Sequence, residues 1–301
     1  MKIYATHSGK AFAKKIASHL GEKLHAVDIG KYPDGQIWNK IIDLPHNEIA
    51  LVVGNTLGSD GLVELLTLLD TVQDFSVQKT VVVVPYFGAG RQDRANEPGQ
   101  DKAGRMQMKV IACERPNRIV LIDLHNSSLK ECTALDPRIR NMEPYAKTVF
   151  LDVIRSMDLT SDFVFAAADV GRLGIARSYA KEFKVGTVYL DKRREGPGQI
   201  EVMNVVGDVR GKTVIMIDDI VDSGGTVIQG ARALKKEGAG DIHLFATHLV
   251  LSGRGKKRFL HLSELFTSLH GTDTIELPHP SIFQIHSIAG LIADCIQKEI
   301  L

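Results

Sequence analysis

A surplus of either charge is the first thing missing. The 37 lysines and arginines are matched by 36 aspartates and glutamates, for a formal net charge of +1. So close a balance gives no global field to recruit nucleic acid or an anionic membrane, and any anion site has to be local. Cysteine is scarce: Cys113, Cys132 and Cys295 form an odd set with no CxxC spacing. That argues against a disulfide scaffold or a zinc knuckle and fits a reducing compartment. No apolar run reaches the length of a membrane span, and Met1 leads straight into the strand-like Lys2-Ile3-Tyr4-Ala5 without a charged and apolar leader. A soluble cytoplasmic protein with no nucleic-acid or membrane partner is expected. Low-complexity segments are also absent.

What remains is ordinary globular material, 44% hydrophobic and 24% charged over 301 residues, enough for two medium domains. Short β-branched runs bounded by turn residues alternate with longer segments of helical period, which is the pattern of an α/β protein with a mainly parallel sheet flanked by helices. In the first half, strands are expected at Lys2–Ala5, Ile49–Val53, Thr80–Val84 and Arg118–Ile122. Helices are expected at Gly9–Leu20, Gly58–Gln73 and Lys102–Cys113. Leu62, Leu65, Leu66 and Leu69 recur at helical spacing after the capping candidates Ser59 and Asp60. The second half repeats the rhythm, with strands near Phe163–Ala167, Thr187–Leu190, Thr213–Ile217 and Ile242–Thr247, a late strand around Leu265–Phe266 and a final helix at Ile285–Ile300. The halves meet near Arg138–Pro144, giving domains at 1–142 and 143–301, with the last helix expected to pack back on the first domain. The polar stretches Asn96–Lys102, Arg193–Gln199 and Ser252–Lys257 read as loops.

The most informative run is Val214-Ile215-Met216-Ile217-Asp218-Asp219-Ile220-Val221-Asp222-Ser223-Gly224-Gly225-Thr226, which reads as strand, turn and helix. The carboxyl ends of parallel strands are where such sheets bind ligands. Backbone N–H groups freed by Gly224 and Gly225, the positive end of a helix and the hydroxyls of Ser223 and Thr226 can converge on a phosphate. Asp218 and Asp219 cannot hold phosphate themselves; they suit sugar hydroxyls or a metal carried by the substrate. The plainer alternative is a capped helix whose acids merely favour its N-terminus. Three acids around one turn weigh against it.

A second run, Val81-Val82-Val83-Val84-Pro85-Tyr86-Phe87-Gly88-Ala89-Gly90-Arg91-Gln92-Asp93-Arg94, is a buried strand breaking into a loop at Pro85 and Gly88. Arg91 and Arg94 could grip a polyphosphate; from charge alone, solvation or pairing with Asp93 is the better account. His125, after Ile122-Asp123-Leu124, could be a packed strand-end histidine, and Lys192 with Arg194 an exposed basic loop.

These segments together shift the balance. Residues 218–226 resemble the phosphoribosyl-pyrophosphate loop shared by type I phosphoribosyltransferases and ribose-phosphate pyrophosphokinases. The Pro85–Arg94 stretch, Asp123-Leu124-His125, Tyr32-Pro33-Asp34-Gly35-Gln36, Asp191-Lys192-Arg193-Arg194 and Val206-Gly207-Asp208-Val209 are similar, in order and over nearly the whole chain, to segments of ribose-phosphate pyrophosphokinases. The resemblance implies two similar type I phosphoribosyltransferase-like domains, and transfer of pyrophosphate from ATP to the 1-hydroxyl of ribose 5-phosphate in nucleotide biosynthesis. It further implies that Arg91, Gln92 and His125 contact ATP, while Tyr32, Asp34, Gly35 and Gln36 reach it from a neighbouring subunit of a homodimer or larger homo-oligomer. Lys192 and Arg194 would be catalytic. Arg194, Asp218, Asp219, Asp222, Ser223, Gly224, Gly225 and Thr226 would hold ribose 5-phosphate, and His125 and Asp169 would contact Mg2+.

Several segments depart from the pattern. Asn126–Cys132 and Glu97–Gln100 replace stretches that carry effector sites in many family members, so no regulation is carried over. Gln36 stands for a usual Glu, Asp169–Gly174 lacks the proline of P-D-x-G-G, and Ser252–Lys256 keeps only the start of S-G-x-A. Two other readings are a catalytically silent regulatory homologue and a phosphoribosyltransferase. Retention of His125, Lys192, Arg194 and Asp218 together weighs against the first, and the ATP-side segments against the second.

Overall fold

Four runs of buried β-branched and aliphatic residues, β1 (Lys2–Ala5), β4 (Ile49–Val53), β5 (Lys79–Val84) and β6 (Arg118–Leu121), build a parallel sheet that β7 (Arg140–Met142) completes, in the order β1-β4-β5-β6-β7. Both faces of these strands are buried, which is why they read as continuous apolar runs and not as alternating ones. Tyr4, Ala50, Val52, Val82 and Val84 face α2 (Gly58–Gln73) and α3 (Ala103–Cys113) through Leu65, Leu69, Val72, Met108 and Ile111. Helix α1 (Lys10–Leu20) buries Phe12, Ala13, Ile16 and Ala17. Between β1 and β4 the chain makes an antiparallel hairpin of β2 (Val27–Lys31) and β3 (Ile37–Ile41).

The structure, a computed structural model, describes residues 1–134, 136–159, 162–194, 201–253, 255, 263–277 and 281–300, with only the backbone of 192–194, 201, 202 and 263. The chain divides into two compact units: Met1–Tyr145 with Thr274–Glu276 and Ser287–Leu301, and Ala146–Asp273 with Leu277–His286. The C-terminal helix α7 (Ala289–Glu299) therefore belongs to the first unit, where it packs on α1.

The second unit holds a seven-stranded sheet, β10-β9-β8-β11-β12-β13-β14. Its strands are β8 (Phe163–Ala167), β9 (Thr187–Arg194), β10 (Glu201–Val206), β11 (Thr213–Val221), β12 (Ile242–Leu249), β13 (Ser268–Thr272) and β14 (Gln284–His286). Only the β9–β10 pair is antiparallel. Helices α4 (Lys147–Ser156), α5 (Leu173–Phe183) and α6 (Gly225–Lys236) flank it. From β8 the order runs outward through β9 and β10, and from β11 outward the other way, so β8 and β11 meet at a switch point.

Four sequence expectations need correction. Arg193 and Arg194, expected to open a loop, continue β9 in register with β10, and residues 195–199 of that stretch lie outside the described residues. Residues Leu265 and Phe266 are not a strand: Ser263–Leu265 is a 3-10 turn, and the strand follows at Ser268–Thr272. The expected helix from Ile285 begins at Ala289, because Gln284–His286 pairs in parallel with β13. Ser59 and Asp60 do not cap α2; the N-cap is Leu57, and Asp60 lies in the first turn with an ion pair to Lys31. The hairpin, β7, β10, α4 and α5 were not located from the sequence; the strands are short or exposed, whereas α4 and α5 carry a clear apolar stripe (Phe150, Leu151 and Ile154; Ala176, Tyr179 and Ala180) that was overlooked.

One face of β12 and β13 carries a polar chain in place of aliphatic packing. His243 Nδ1 lies 2.7 Å from Ser268 Oγ, Ser268 Oγ 2.6 Å from His270 Nε2, and His270 Nδ1 3.0 Å from His286 Nε2. Phe245 stacks on His270 with centroids 4.1 Å apart, and Phe150 closes edge-on against Phe245. His270 is 3% exposed. Burial and the two neighbouring histidines hold its pKa down at about 4, and burial lowers those of His243 and His286 as well. A histidine kept neutral by the fold but free to protonate once unfolded makes the native state lose stability as pH falls from the unfolded value of 6.5 towards about 4. From the shift of His270 to about 4, that loss is expected to reach about 3 kcal/mol, measured by urea unfolding at pH 7.5 and pH 4.5, and to shrink in His270→Leu.

Candidate active site

The switch point leaves a crevice beyond the carboxyl ends of β8 and β11, where adjacent connections run to opposite sides of the sheet. Strand β11 ends in Asp218, Asp219 and Val221. Beside it β8 ends at Ala167, and Ala168 leads to Asp169, which opens a 3-10 turn, Val170–Arg172, leading into α5. The Asp169 carboxylate caps that turn, its Oδ1 accepting from the Arg172 backbone N–H at 3.0 Å. The turn sends the Arg172 guanidinium across to Asp219, with Nη2 3.1 Å from Oδ2 and side-chain exposures of 12% and 6%.

Two adjacent carboxylates here repel each other. The Asp219 N–H donates to Asp218 Oδ1 at 2.9 Å, which ties the two together. Burial, and then the negative charge of Asp219, push the Asp218 pKa well above the usual carboxylate range, and Arg172 pulls it back.

Past Val221 the chain turns over Asp222, Ser223 and Gly224 into α6. Gly224 sits at φ 75°, a left-handed conformation that costs a side chain about 1 kcal/mol or more and suits glycine. As N-cap it offers no side chain to the first helical N–H groups, and Ser223 and Thr226 are exposed beside them. N–H groups at a helix start beside exposed hydroxyls suit an anion. The loop is braced from behind: Asp222 Oδ1 accepts from the Ser252 backbone N–H at 3.3 Å and from its hydroxyl, and a Cβ on Gly255 would stand 2.5 Å from the Asp222 carbonyl oxygen.

In the first unit the loops after β4, β5 and β6 share one edge. Asn55 Oδ1 accepts from the Tyr86 N–H at 2.7 Å, Thr56 Oγ1 accepts from the Gly88 N–H at 2.9 Å, and a Cβ on Gly88 would lie 2.3 Å from the Thr56 carbonyl oxygen. This clamp carries the loop on to the exposed Arg91, Gln92 and Arg94. Gly90 packs against His125, to whose Cβ an added methyl would come within 3.5 Å. Asn126 donates to Asp93, and Asp123 stands at φ 40°, a left-handed value unusual for a non-glycine residue.

Thus the structure gathers Arg91, Gln92 and His125 in one unit and Asp169, Asp218, Asp219 and Asp222–Thr226 in the other. Tyr32, Asp34, Gly35 and Gln36 form the tip of the β2–β3 hairpin, where the Tyr32 N–H donates to the Gln36 carbonyl at 2.8 Å and the Gln36 N–H to Asp34 at 3.1 Å. Tyr32 is 58% exposed there. Lys192 and Arg194 lie on β9, and their side chains fall outside the described residues. Sequence reasoning missed Arg172, Asn55, Thr56 and the brace from Ser252. The available signal for Arg172 was an arginine on the last glycine position of P-D-x-G-G, beside a cluster of acids.

Mainly parallel sheets flanked by helices, with paired acids and a helix start at the switch point of one of them, define the class as an α/β protein. Residues 1–113 match the family model of the N-terminal domain of ribose phosphate pyrophosphokinase, and residues 137–267 that of the phosphoribosyl transferase domain. Among curated proteins, the ribose-phosphate pyrophosphokinase of Chlorobaculum tepidum is 31% identical over 99% of this chain and 91% of its own, and that of Campylobacter jejuni 32% over 99% and 95%. The fold is that of a phosphoribosylpyrophosphate synthetase from Mycobacterium smegmatis, with a TM-score of 0.88, 23% identity and 98% and 97% of the two chains covered. The chain belongs to the ribose-phosphate pyrophosphokinase family.

Gly224→Ala is expected to destabilise the second unit by about 1–2 kcal/mol in chemical denaturation, because the left-handed φ remains while a Cβ is added.

Proposed function

We propose that the protein transfers the pyrophosphate group of ATP to the 1-hydroxyl of ribose 5-phosphate, releasing AMP and forming 5-phosphoribosyl 1-pyrophosphate. The observation that carries this reading is the cradle at residues 222–226 beside Asp218 and Asp219, in a chain whose other half matches the family's own N-terminal domain.

The 5-phosphate takes the N–H groups of Gly225 and Thr226 and the hydroxyls of Ser223 and Thr226, with the α6 dipole favouring its charge. Asp218 and Asp219 accept from the ribose hydroxyls, and Asp222, braced by Ser252, fixes the turn. Arg91 and Gln92 take the ATP phosphates, presented by the clamp of Asn55 and Thr56. The 1-hydroxyl oxygen bonds to the β-phosphorus as the bond from that phosphorus to the α-bridging oxygen breaks; AMP leaves with the electron pair, and the hydroxyl proton passes to solvent. Such a reaction asks for positioning and positive charge more than for covalent help, and Lys192 and Arg194 supply that charge.

Among the described residues no group of three His, Cys, Asp or Glu side chains could hold a metal. The exposed Asp169 carboxylate of the second unit fits magnesium, which keeps waters and substrate phosphates as most of its ligands and takes one or two from protein. The half-buried His125 of the first unit would contact magnesium carried by ATP, and the metal would add positive charge to the phosphates being transferred. The exposed aromatic tip at Tyr32 supports a homodimer in which Tyr32, Asp34, Gly35 and Gln36 reach the ATP of a neighbouring subunit. The reaction is placed in the cytoplasm, where ATP is made and free thiols persist.

Purified protein with ATP, magnesium and ribose 5-phosphate is expected to release AMP in step with phosphoribosyl pyrophosphate. No AMP with any divalent metal would point to the silent regulatory homologue. Nucleotide and pyrophosphate formed from a base and phosphoribosyl pyrophosphate, with no AMP released from ATP, would point to a phosphoribosyltransferase. Lys192→Ala is expected to lower kcat by about 10²-fold or more with the ATP affinity within about tenfold, since a charge used in the transition state affects turnover more than binding. Mixed and reassembled Asp34→Ala and Arg91→Ala subunits are expected to regain part of the activity each lacks alone; no recovery would put the whole ATP site in one subunit.

A further inference from the structure

The reading of the second unit as the ribose 5-phosphate site gives Asp219 a task but does not explain the cation against it. We infer that Arg172 is a positioning residue for sugar recognition: it holds the Asp219 carboxylate fixed in the orientation that accepts a ribose hydroxyl, and so sets the preference for a sugar bearing both ring hydroxyls.

Three observations carry this. The guanidinium lies 3.1 Å from Asp219 Oδ2 with both side chains nearly buried, so the contact is shielded from solvent and more strongly felt than a surface pair. The arginine is aimed from an anchored backbone, since its N–H donates to the side-chain oxygen and to the carbonyl of Asp169 in the turn after β8. Asp219 in turn donates its backbone N–H to Asp218, so whatever fixes Asp219 also fixes its neighbour. Arginine suits the task because it stays charged and offers a planar fork of donors, which can satisfy one face of a carboxylate while other lone pairs remain for a ligand.

Stability does not account for the arrangement. A buried ion pair contributes little net stability compared with apolar packing, and this one lies at the ligand-binding edge of the sheet, outside the hydrophobic core. The pair is also this chain's own device, because the segment Asp169–Gly174 has an arginine where the resembled pattern has a glycine.

Chemistry names the ligand feature involved. A carboxylate fixed by arginine accepts hydrogen bonds and donates none, so it selects hydroxyls over ring carbons. Without Arg172, the Asp219 carboxylate can rotate, and one acceptor is lost. A 2-deoxyribose phosphate offers one hydroxyl fewer to the same pair, and is the probe that reports it.

The test uses the full-length protein as wild type, Arg172→Gln and Arg172→Lys, with rates measured against ATP, ribose 5-phosphate and 2-deoxyribose 5-phosphate. In Arg172→Gln, KM for ribose 5-phosphate is expected to rise about tenfold or more while kcat and the ATP KM stay within about threefold, as for lost ground-state binding. The preference for ribose over 2-deoxyribose 5-phosphate narrows in the same variant, and Arg172→Lys recovers most of both effects. A ribose 5-phosphate KM within twofold of wild type, an equal loss for both substrates, or a lysine variant as poor as glutamine would overturn the proposal. Should Arg172→Gln not unfold cooperatively, Arg172→Met takes its place in the same comparison. Wild-type protein that makes no AMP would overturn the proposed activity and leave this inference readable, because calorimetry of ribose 5-phosphate binding to wild type and variant then decides it. Affinity about tenfold weaker in the variant supports it, and equal affinity overturns it.

Discussion

Two carboxylates in succession at the end of a buried strand are the constraint around which the second unit is arranged. Each would lose hydration, and each raises the cost of ionising the other. The fold meets this with neighbours that only a parallel sheet brings alongside: Arg172 from the end of β8 against Asp219, and the Asp219 N–H against Asp218. Had β8 run antiparallel to β11, its carboxyl end would lie at the opposite edge and no cation would arrive there. The turn capped by Asp169 follows from the same need, since it aims Arg172 across the switch point.

The remainder of that edge serves the opposite charge. Gly224 in its left-handed conformation turns the chain into α6 without a side-chain cap, so the donors at the helix start face outward, and Ser252 holds Asp222 from behind. A sugar phosphate presents hydroxyls and an anion a few ångströms apart. Acids with a fixed counter-ion and uncapped helix donors sit in succession along residues 218–226. The first unit solves a simpler problem, presenting Arg91 and Gln92 on a loop whose backbone is pinned by Asn55 and Thr56.

The same sheet also buries polarity by another route. On the outer strands His243, Ser268, His270 and His286 satisfy one another as a neutral hydrogen-bonded chain under Phe245 and Phe150. Neutral groups avoid the penalty of buried charge but become sensitive to acid, whereas Asp219 and Arg172 meet as an ion pair at the carboxyl edge of the sheet. The contrast separates a structural use of buried polar groups from a functional one within one unit.

Much of this was legible in the sequence, and for identifiable reasons. Strands buried on both faces leave continuous runs such as Val81–Val84 and Val214–Ile217, and a helix with a wide apolar face leaves the leucine period of Gly58–Gln73, so those elements were read to within a few residues. The Asp-Asp and Ser-Gly-Gly-Thr spacing determined the phosphate loop, because an anion cradle at a helix start needs those residue types in that order. Weaker patterns failed: the strand at Ser268–Thr272 was misplaced because its inward face carries serine, histidine and threonine instead of aliphatic residues, and the short strand Gln284–His286 was absorbed into a helix. Arg172 and Asp219 lie 47 positions apart in the chain, and nothing local links them. The sequence by itself determined which groups the loop offers to a ligand. The order of strands in the sheet decided which groups stand opposite them, since spatial adjacency across a parallel sheet is set by strand pairing and not by distance along the chain.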